Sequence, residues 1–173
     1  MTSTQTTRDE ALVAVVDATA AAVADDVDKA AALFRATGSG ADGVRTDIRI
    51  GRHEVVVDEP PALGGGDAAP NPVEFALAAL LSCQVVTYRF WAAKLGVPLD
   101  DVTVEVKGDL DVRGFFGLDD AVRAGFGEVR LVVDLQGPAS AEDYRRLKDA
   151  VDAHCPVLDL FRNPTPVTTR SAR

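Results

Sequence analysis

Two cysteines, Cys83 and Cys155, are the residues of this 173-residue chain best suited to chemistry. Neither belongs to a Cys-x-x-Cys pair, and the two histidines complete no ligand spacing typical of structural zinc. In a reducing compartment such thiols are either inert core residues or redox and nucleophilic groups. Two is also the number that a reversible dithiol–disulfide cycle requires. Local sequence leaves both interpretations open.

The predicted surroundings of the two thiols differ. Cys83 falls in the middle of an apolar helix, whereas Cys155 follows a helix and precedes Pro156. A helix carboxyl end raises the pKa of a thiol, so Cys155 is better suited to resolving a sulfenic acid than to forming one. His154 adjoins Cys155, which allows a Cys–His nucleophile without establishing its geometry.

Three charged residues are candidates to assist a thiol. Glu74 is either the third residue of a helix capping box or a carboxylate that orients an arginine. It lies nine residues before Cys83, about 13 Å along a helix, so another element or subunit must bridge them. Arg45 and Arg49 share one face of a predicted hairpin, which is either solvated or places a guanidinium where it favours a thiolate.

Hydropathy patterning predicts an α+β order of elements, because helical and strand periods alternate without strict βαβ repetition. Asn71 and Pro72 begin the central helix, which is apolar almost all round and is therefore expected to be buried. Residues 8–34 are expected to form one long or two short helices, with a break at Asp25 and Asp26 where Asp26 would cap the second. The other expected segments are flexible link 37–43, hairpin 44–58, Gly/Pro-rich loop 59–72, strands 102–107, 129–135 and 166–169, excursion 108–126, helix 140–154 and turn 157–161. We predict a helical extension over residues 1–37 and a main domain over 38–173.

Composition and charge restrict the partners and the compartment. The formal net charge is −9, which disfavours nucleic acid and anionic membranes as partners because phosphate binding needs a basic face. No run of 18 apolar residues occurs, so no membrane-spanning helix is expected. The first residues lack the basic and apolar segments of a signal peptide, and the expected location is cytoplasmic.

Three motifs together resemble the OsmC/Ohr family of osmotically inducible and organic hydroperoxide resistance proteins. They are DEPPALGGGDAAPNPVEFALAALLSC at 58–83, GDLDVRGFFGL at 108–118 and HCPVLDLFRNPTPV at 154–167. The resemblance covers about residues 44–169, and within the family the chain is most similar to the OsmC-like branch. It implies an OsmC-like fold, with curved antiparallel sheets around a long buried central helix, formed as an intertwined homodimer.

The resemblance also implies a function. Cys83 would be the peroxidatic cysteine and Cys155 the resolving one, in a thiol-dependent peroxidase that reduces organic hydroperoxides with a dithiol reductant and no metal or other cofactor. A glutamate at the helix start and an arginine from the early strands would assist, here Glu74 with Arg45 as first choice and Arg49 as second. An apolar pocket of the Phe75, Phe90 or Phe115 type would select organic peroxides.

One departure keeps an alternative open. Peroxidases of the family carry glutamate directly after the proline, whereas this chain places Val73 between Pro72 and Glu74. One residue turns a helix by about 100°, so Glu74 projects in another direction. The alternative is an OsmC-like protein without peroxidase activity that binds a small hydrophobic or sulfur-containing ligand at the dimer interface.

Overall fold

The computed structural model describes residues 3–171 and has the predicted α+β architecture. Its helices are α1 (Ser3–Asp25), α2 (Pro72–Leu95), α3 (Val112–Phe115), α4 (Ala141–His154) and α5 (Pro156–Arg162). Its strands are β1 (Ala36–Gly40), β2 (Thr46–Ile50), β3 (His53–Val57), β4 (Asp101–Asp109) and β5 (Glu128–Gln136). The chain forms two compact units: the hairpin unit, Val15–Ala78, and the cysteine unit, which contains the described residues up to Ala14 and from Ala79 onward.

The hairpin unit contains an antiparallel sheet in the order β1-β2-β3. The predicted hairpin is confirmed, with Ile50 paired to His53 beside the turn. The predicted flexible link over 37–43 is wrong in its first half, because β1 pairs with β2 there. Backbone hydrogen bonds form that strand without large apolar side chains, and a Cβ on Gly38 would lie 3.3 Å from the carbonyl oxygen of Asp47. Such a strand has no hydropathy signal.

A buried carboxylate organises the Gly/Pro-rich loop after β3. Asp58 is 4% exposed and accepts hydrogen bonds from the backbone N–H groups of Glu59, Gly66 and Ala68 at 2.9, 3.0 and 3.1 Å. The hydrogen bonds from Ala68 and Glu59 hold the pKa of the Asp58 carboxyl below its ordinary value, and the charge of Arg45 acts in the same direction. The loop is therefore folded around one negative charge.

The cysteine unit packs helices against the antiparallel pair β4-β5. Its buried core consists of Leu80, Tyr88, Ala92, Val97, Leu99, Val102, Val104, Leu147, Val151, Cys155 and Leu158. Contrary to expectation, α2 is not buried on every side. Ala79, Ser82 and Val86 are exposed, and they lie on one face of the helix at three- and four-residue spacing.

Helix α2 is also long and apolar enough to cross a membrane, with a mean hydropathy of 1.3. Its buried residues include the polar side chains Gln84 and Thr87. Leu80, Tyr88 and Ala92 of α2 also belong to the buried apolar core of the cysteine unit, which is typical of a core helix. We therefore interpret the part of α2 from Ala79 onward as the core helix of the cysteine unit.

The carboxyl-terminal third corrects two expectations. Helix α4 begins at its predicted N-cap, where Ser140 Oγ accepts from Asp143 N–H at 3.1 Å. The predicted turn 157–161 is wrong, because α5 occupies it with Pro156 in the first turn, a position that favours helix initiation. The predicted strand over 166–169 is also wrong, since those residues have no regular structure and pair with no described strand.

The amino-terminal helix α1 ends at Asp25, where the sequence predicts a break. Asp26 then caps a single 3₁₀ turn, Val27–Ala30, by accepting from Asp28 N–H at 3.0 Å. Near the start of α1, the Arg8 guanidinium donates a hydrogen bond to the carbonyl oxygen of Leu99 at 2.9 Å. This bond joins the first part of α1 to the rest of the cysteine unit. The division of the chain at residue 37 stays a prediction.

Candidate active site

The two cysteines meet in the cysteine unit. The side chains of Cys83, in the middle of α2, and Cys155, between α4 and α5, are hydrogen-bonded, and both thiols are free. Cys155 is only 2% exposed, whereas Cys83 is partly exposed. An oxidant arriving from solvent therefore reaches Cys83 before Cys155.

The position of Cys155 follows from a helix end and a helix start at the same residue. Its backbone N–H donates to the Val151 carbonyl oxygen at 2.9 Å and closes α4. Its own carbonyl oxygen accepts from Asp159 N–H at 3.0 Å in α5. Pro156 cannot extend α4 but can begin α5, so the chain turns there and leaves the Cys155 side chain in the core.

Burial raises the pKa of the Cys83 thiol above its ordinary value, because desolvation disfavours the thiolate, and the neighbouring Cys155 raises it further. The backbone N–H of Val157 and the Thr87 hydroxyl act in the opposite direction by hydrogen bonding. None of these groups is a cation. Within its own unit Cys83 therefore lacks the positive charge that activates reactive thiols.

Thr87 and Val157 contact Cys83 but are not among the residues predicted from the sequence. Thr87 follows Cys83 by four residues on α2, and its hydroxyl donates to the Cys83 carbonyl oxygen at 2.7 Å. That spacing places the two side chains on one helix face, so it could have identified Thr87. No local signal marks Val157, because its N–H reaches Cys83 only through tertiary packing.

We expect the pH dependence of Cys83 alkylation by iodoacetamide to report the pKa of its thiol, since the thiolate is the reacting species. Replacing Cys155 with alanine removes a group that raises the pKa of Cys83, so the midpoint should move to lower pH. Mass spectrometry of the Cys83 peptide gives the rate at each pH. A midpoint unmoved by Cys155→Ala would show that the two thiols are not coupled.

Glu74 forms the predicted capping box. Its backbone N–H donates to Asn71 Oδ1 at 2.9 Å, and its Oε2 accepts from the Asn71 N–H at 2.8 Å. The arrangement satisfies two N–H groups that a helix start leaves without partners. The carboxylate thus has a structural role at the start of α2, and its proposed role beside a thiol stays a prediction.

Arg45 and Arg49 line one cavity of about 640 Å³ in the hairpin unit, as their predicted shared face requires. Arg45 forms an ion pair with Asp47 at 2.9 Å, and Arg49 lies 4.0 Å from Glu54. The structure thus brings together Cys83 and Cys155 in one unit and the two arginines in the other. A meeting of arginine and thiol stays a prediction.

Among residues 3–171, the His154 side chain contacts Trp91 and the backbone of its own helix. The His154 ring packs on Trp91 with centroids 4.3 Å apart, and its Nδ1 lies 2.7 Å from the Ala150 carbonyl oxygen. In the same described range, no group of three or more His, Cys, Asp or Glu side chains could hold a metal ion.

Comparison with protein families places this fold and cysteine pair in a known group. The family model described as OsmC-like protein matches residues 64–170. This chain belongs to the OsmC-like family. The match includes both cysteines and the start of α2, whereas Arg45 and Arg49 precede it. No curated protein matches the chain in sequence.

Solved structures show the same OsmC-like fold. An OsmC-like protein from Mycoplasma pneumoniae aligns with a TM-score of 0.65 at 16% identity, over 76% of this chain and 88% of the other. An organic hydroperoxide resistance protein from Legionella pneumophila aligns with a TM-score of 0.59 at 20% identity, over 76% and 90%. One from Elizabethkingia anophelis has a TM-score of 0.59 at 22% identity, over 76% and 89%.

Proposed function

We propose that this OsmC-like protein is a thiol-dependent peroxidase that reduces organic hydroperoxides. The hydrogen-bonded pair of one accessible and one buried thiol carries the proposal, because it supplies an attacking and a resolving sulfur in contact. Two solved structures with the same fold are of organic hydroperoxide resistance proteins. A cytoplasmic location would keep both thiols reduced between turnovers.

The proposed reaction uses both sulfurs in order. The Cys83 thiolate attacks the distal peroxide oxygen, the O–O bond breaks, and the leaving alkoxide takes a proton to become an alcohol. Cys83 is thereby oxidised to a sulfenic acid. The Cys155 sulfur then attacks Cys83, a disulfide forms, and water leaves. A dithiol reductant returns both cysteines to thiols and is itself oxidised to a disulfide.

Activation of Cys83 requires a cation, because burial raises its pKa and the donors within its unit are neutral. We propose that Arg45, or failing that Arg49, supplies a guanidinium that favours the thiolate and binds the peroxide, with Glu74 assisting. A homodimer would bring these groups together across subunits. The exposed face of α2 at Ala79, Ser82 and Val86 offers a surface for such a partner.

The arginine assignment can be tested with single substitutions. Cumene hydroperoxide consumption in the presence of dithiothreitol should fall about 10²-fold in Arg45→Ala, since a charged donor to the reacting oxygen is lost. Arg49→Ala is the second test, and Arg52→Ala, at the exposed hairpin turn, is the matched control. Full activity in both Arg45→Ala and Arg49→Ala would refute a role for these arginines.

The raised pKa of Cys83 and the engagement of Glu74 in the capping box favour a second candidate function. In this alternative the protein binds a small hydrophobic or sulfur-containing ligand and does not turn over peroxide. The same assay separates the two. A folded protein that consumes no hydroperoxide, although its Cys83 is alkylated by iodoacetamide, would support the binding role.

A further inference from the structure

A second cavity, of about 620 Å³, lies within the cysteine unit, and neither cysteine lines it. Its apolar wall consists of Val129, Leu131, Val133 and Leu135, which occupy alternate positions of β5 and so project from one face of the strand. Residues of α2, α4 and α5 form the other walls. The volume is in the range of small-molecule sites. We call this cavity the β5 groove.

Gln84 places an unpartnered polar group in the β5 groove. The residue lines the groove and is 1% exposed, yet its Nε2 makes no hydrogen bond with any described residue. A buried donor without a partner costs folding free energy, so such groups are rare in proteins. An oxygen acceptor on a bound molecule would satisfy it.

The charged residues of the groove favour an anion. Arg145, Lys148 and Arg162 line it with a single carboxylate, Asp152. Asp152 already pairs with Lys148 at 2.8 Å and with Arg162 at 3.4 Å. Among residues 3–171, the Arg145 guanidinium forms no ion pair or hydrogen bond, and the residue is exposed at the groove. A local excess of positive charge is unusual in a chain of net charge −9.

We propose that the β5 groove binds an alkyl carboxylate. The alkyl chain lies along the valine and leucine side chains of β5. The carboxylate pairs with Arg145 and Lys148 and accepts a hydrogen bond from Gln84 Nε2. The bound carboxylate thus gives an acceptor to Gln84 Nε2 and to the Arg145 guanidinium, and the alkyl chain covers the apolar face of β5. It does not depend on the cysteine chemistry proposed above.

Titration calorimetry with decanoate tests the site on the full chain in its native oligomeric state. Wild-type protein should bind decanoate saturably, with one site per chain. Arg145→Gln should weaken binding about tenfold, because a charged hydrogen bond is lost. Gln84→Leu should weaken it severalfold. The matched control is Arg146→Gln, the next residue of α4, which pairs with Asp143 at 3.3 Å and does not line the groove.

Two further measurements complete the test. A second ligand distinguishes a carboxylate site from general adsorption of an alkyl chain, and a cysteine variant separates the site from the thiol chemistry. Decanol, which has the same chain without the charge, should bind at least tenfold more weakly than decanoate. Cys83→Ser should bind decanoate as wild type does, so the site can be tested even if the peroxidase proposal fails. The proposal is overturned if decanoate binding does not saturate, as when a second copy covers the groove. Equal binding by Arg145→Gln and wild type, or of decanol and decanoate, would also overturn it.

Discussion

The Cys83→Ser variant is expected to lose hydroperoxide consumption, with a fall of at least about 10³-fold against wild type. Serine keeps the size of the side chain but its hydroxyl is not an effective nucleophile toward peroxide at neutral pH. Cys83 is the accessible member of the pair, and Cys155 is too buried to replace it. Cumene hydroperoxide consumption with dithiothreitol measures the loss.

Cys155→Ser should behave differently, because Cys83 can still attack the peroxide but no second thiol is present to form the disulfide. One equivalent of hydroperoxide should be consumed rapidly, after which a sulfenic acid on Cys83 can be trapped by dimedone and seen by mass spectrometry. Thr103→Ala, at an exposed position of β4, serves as the control and should keep full turnover. Undiminished turnover in Cys83→Ser would exclude the proposed peroxidase mechanism.

Leu147→Ala is expected to lower the free energy of unfolding by roughly 2–5 kcal/mol. Leu147 is 0% exposed and belongs to the core that α4 forms with α2 and β4. Truncation removes buried apolar surface and leaves a cavity that the packed helices fill only in part. Urea denaturation followed by circular dichroism gives the change.

Leu118→Ala is the matched control for that core substitution. Leu118 is 72% exposed, so the same truncation should change the free energy of unfolding by less than about 0.5 kcal/mol. An equal loss in both variants would mean that Leu118 is buried in the assembled protein. A small loss in Leu147→Ala would contradict the packing of α4 described above.

The elements predicted correctly are those determined by residues a few positions apart in the sequence. The capping box at Asn71 and Glu74 depends on residues three apart, and the structure has both of its hydrogen bonds. The alternation of Val102, Val104 and Val106 likewise predicted the strand that became β4. The meeting of Cys83 and Cys155 was different, because no periodicity relates residues so distant in sequence. Only the family resemblance indicated it.

The missed elements are those formed by tertiary or backbone interactions. Strand β1 is rich in glycine and small polar residues, so its pairing with β2 depends on main-chain hydrogen bonds that hydropathy does not register. The strand predicted over 166–169 is absent for the opposite reason. Its residues suit a strand, but no described strand pairs with them, and Val167 is 81% exposed. Gln84 has no local signal either, because its burial results from the packing of α2 against the rest of the cysteine unit.

The attachment of the Gly/Pro-rich segment to Asp58 makes that segment sensitive to acid. Its hydrogen bonds are stronger to the ionised carboxylate, whose pKa is lowered from 3.8, than to the protonated carboxyl. A group with a lowered native pKa contributes stability above its unfolded pKa and loses that contribution as pH falls through the native value. Acidification should therefore detach this stretch from the carboxylate by protonation, leaving the aliphatic interior of the cysteine unit unaffected. Titration and unfolding of the segment would then be one event.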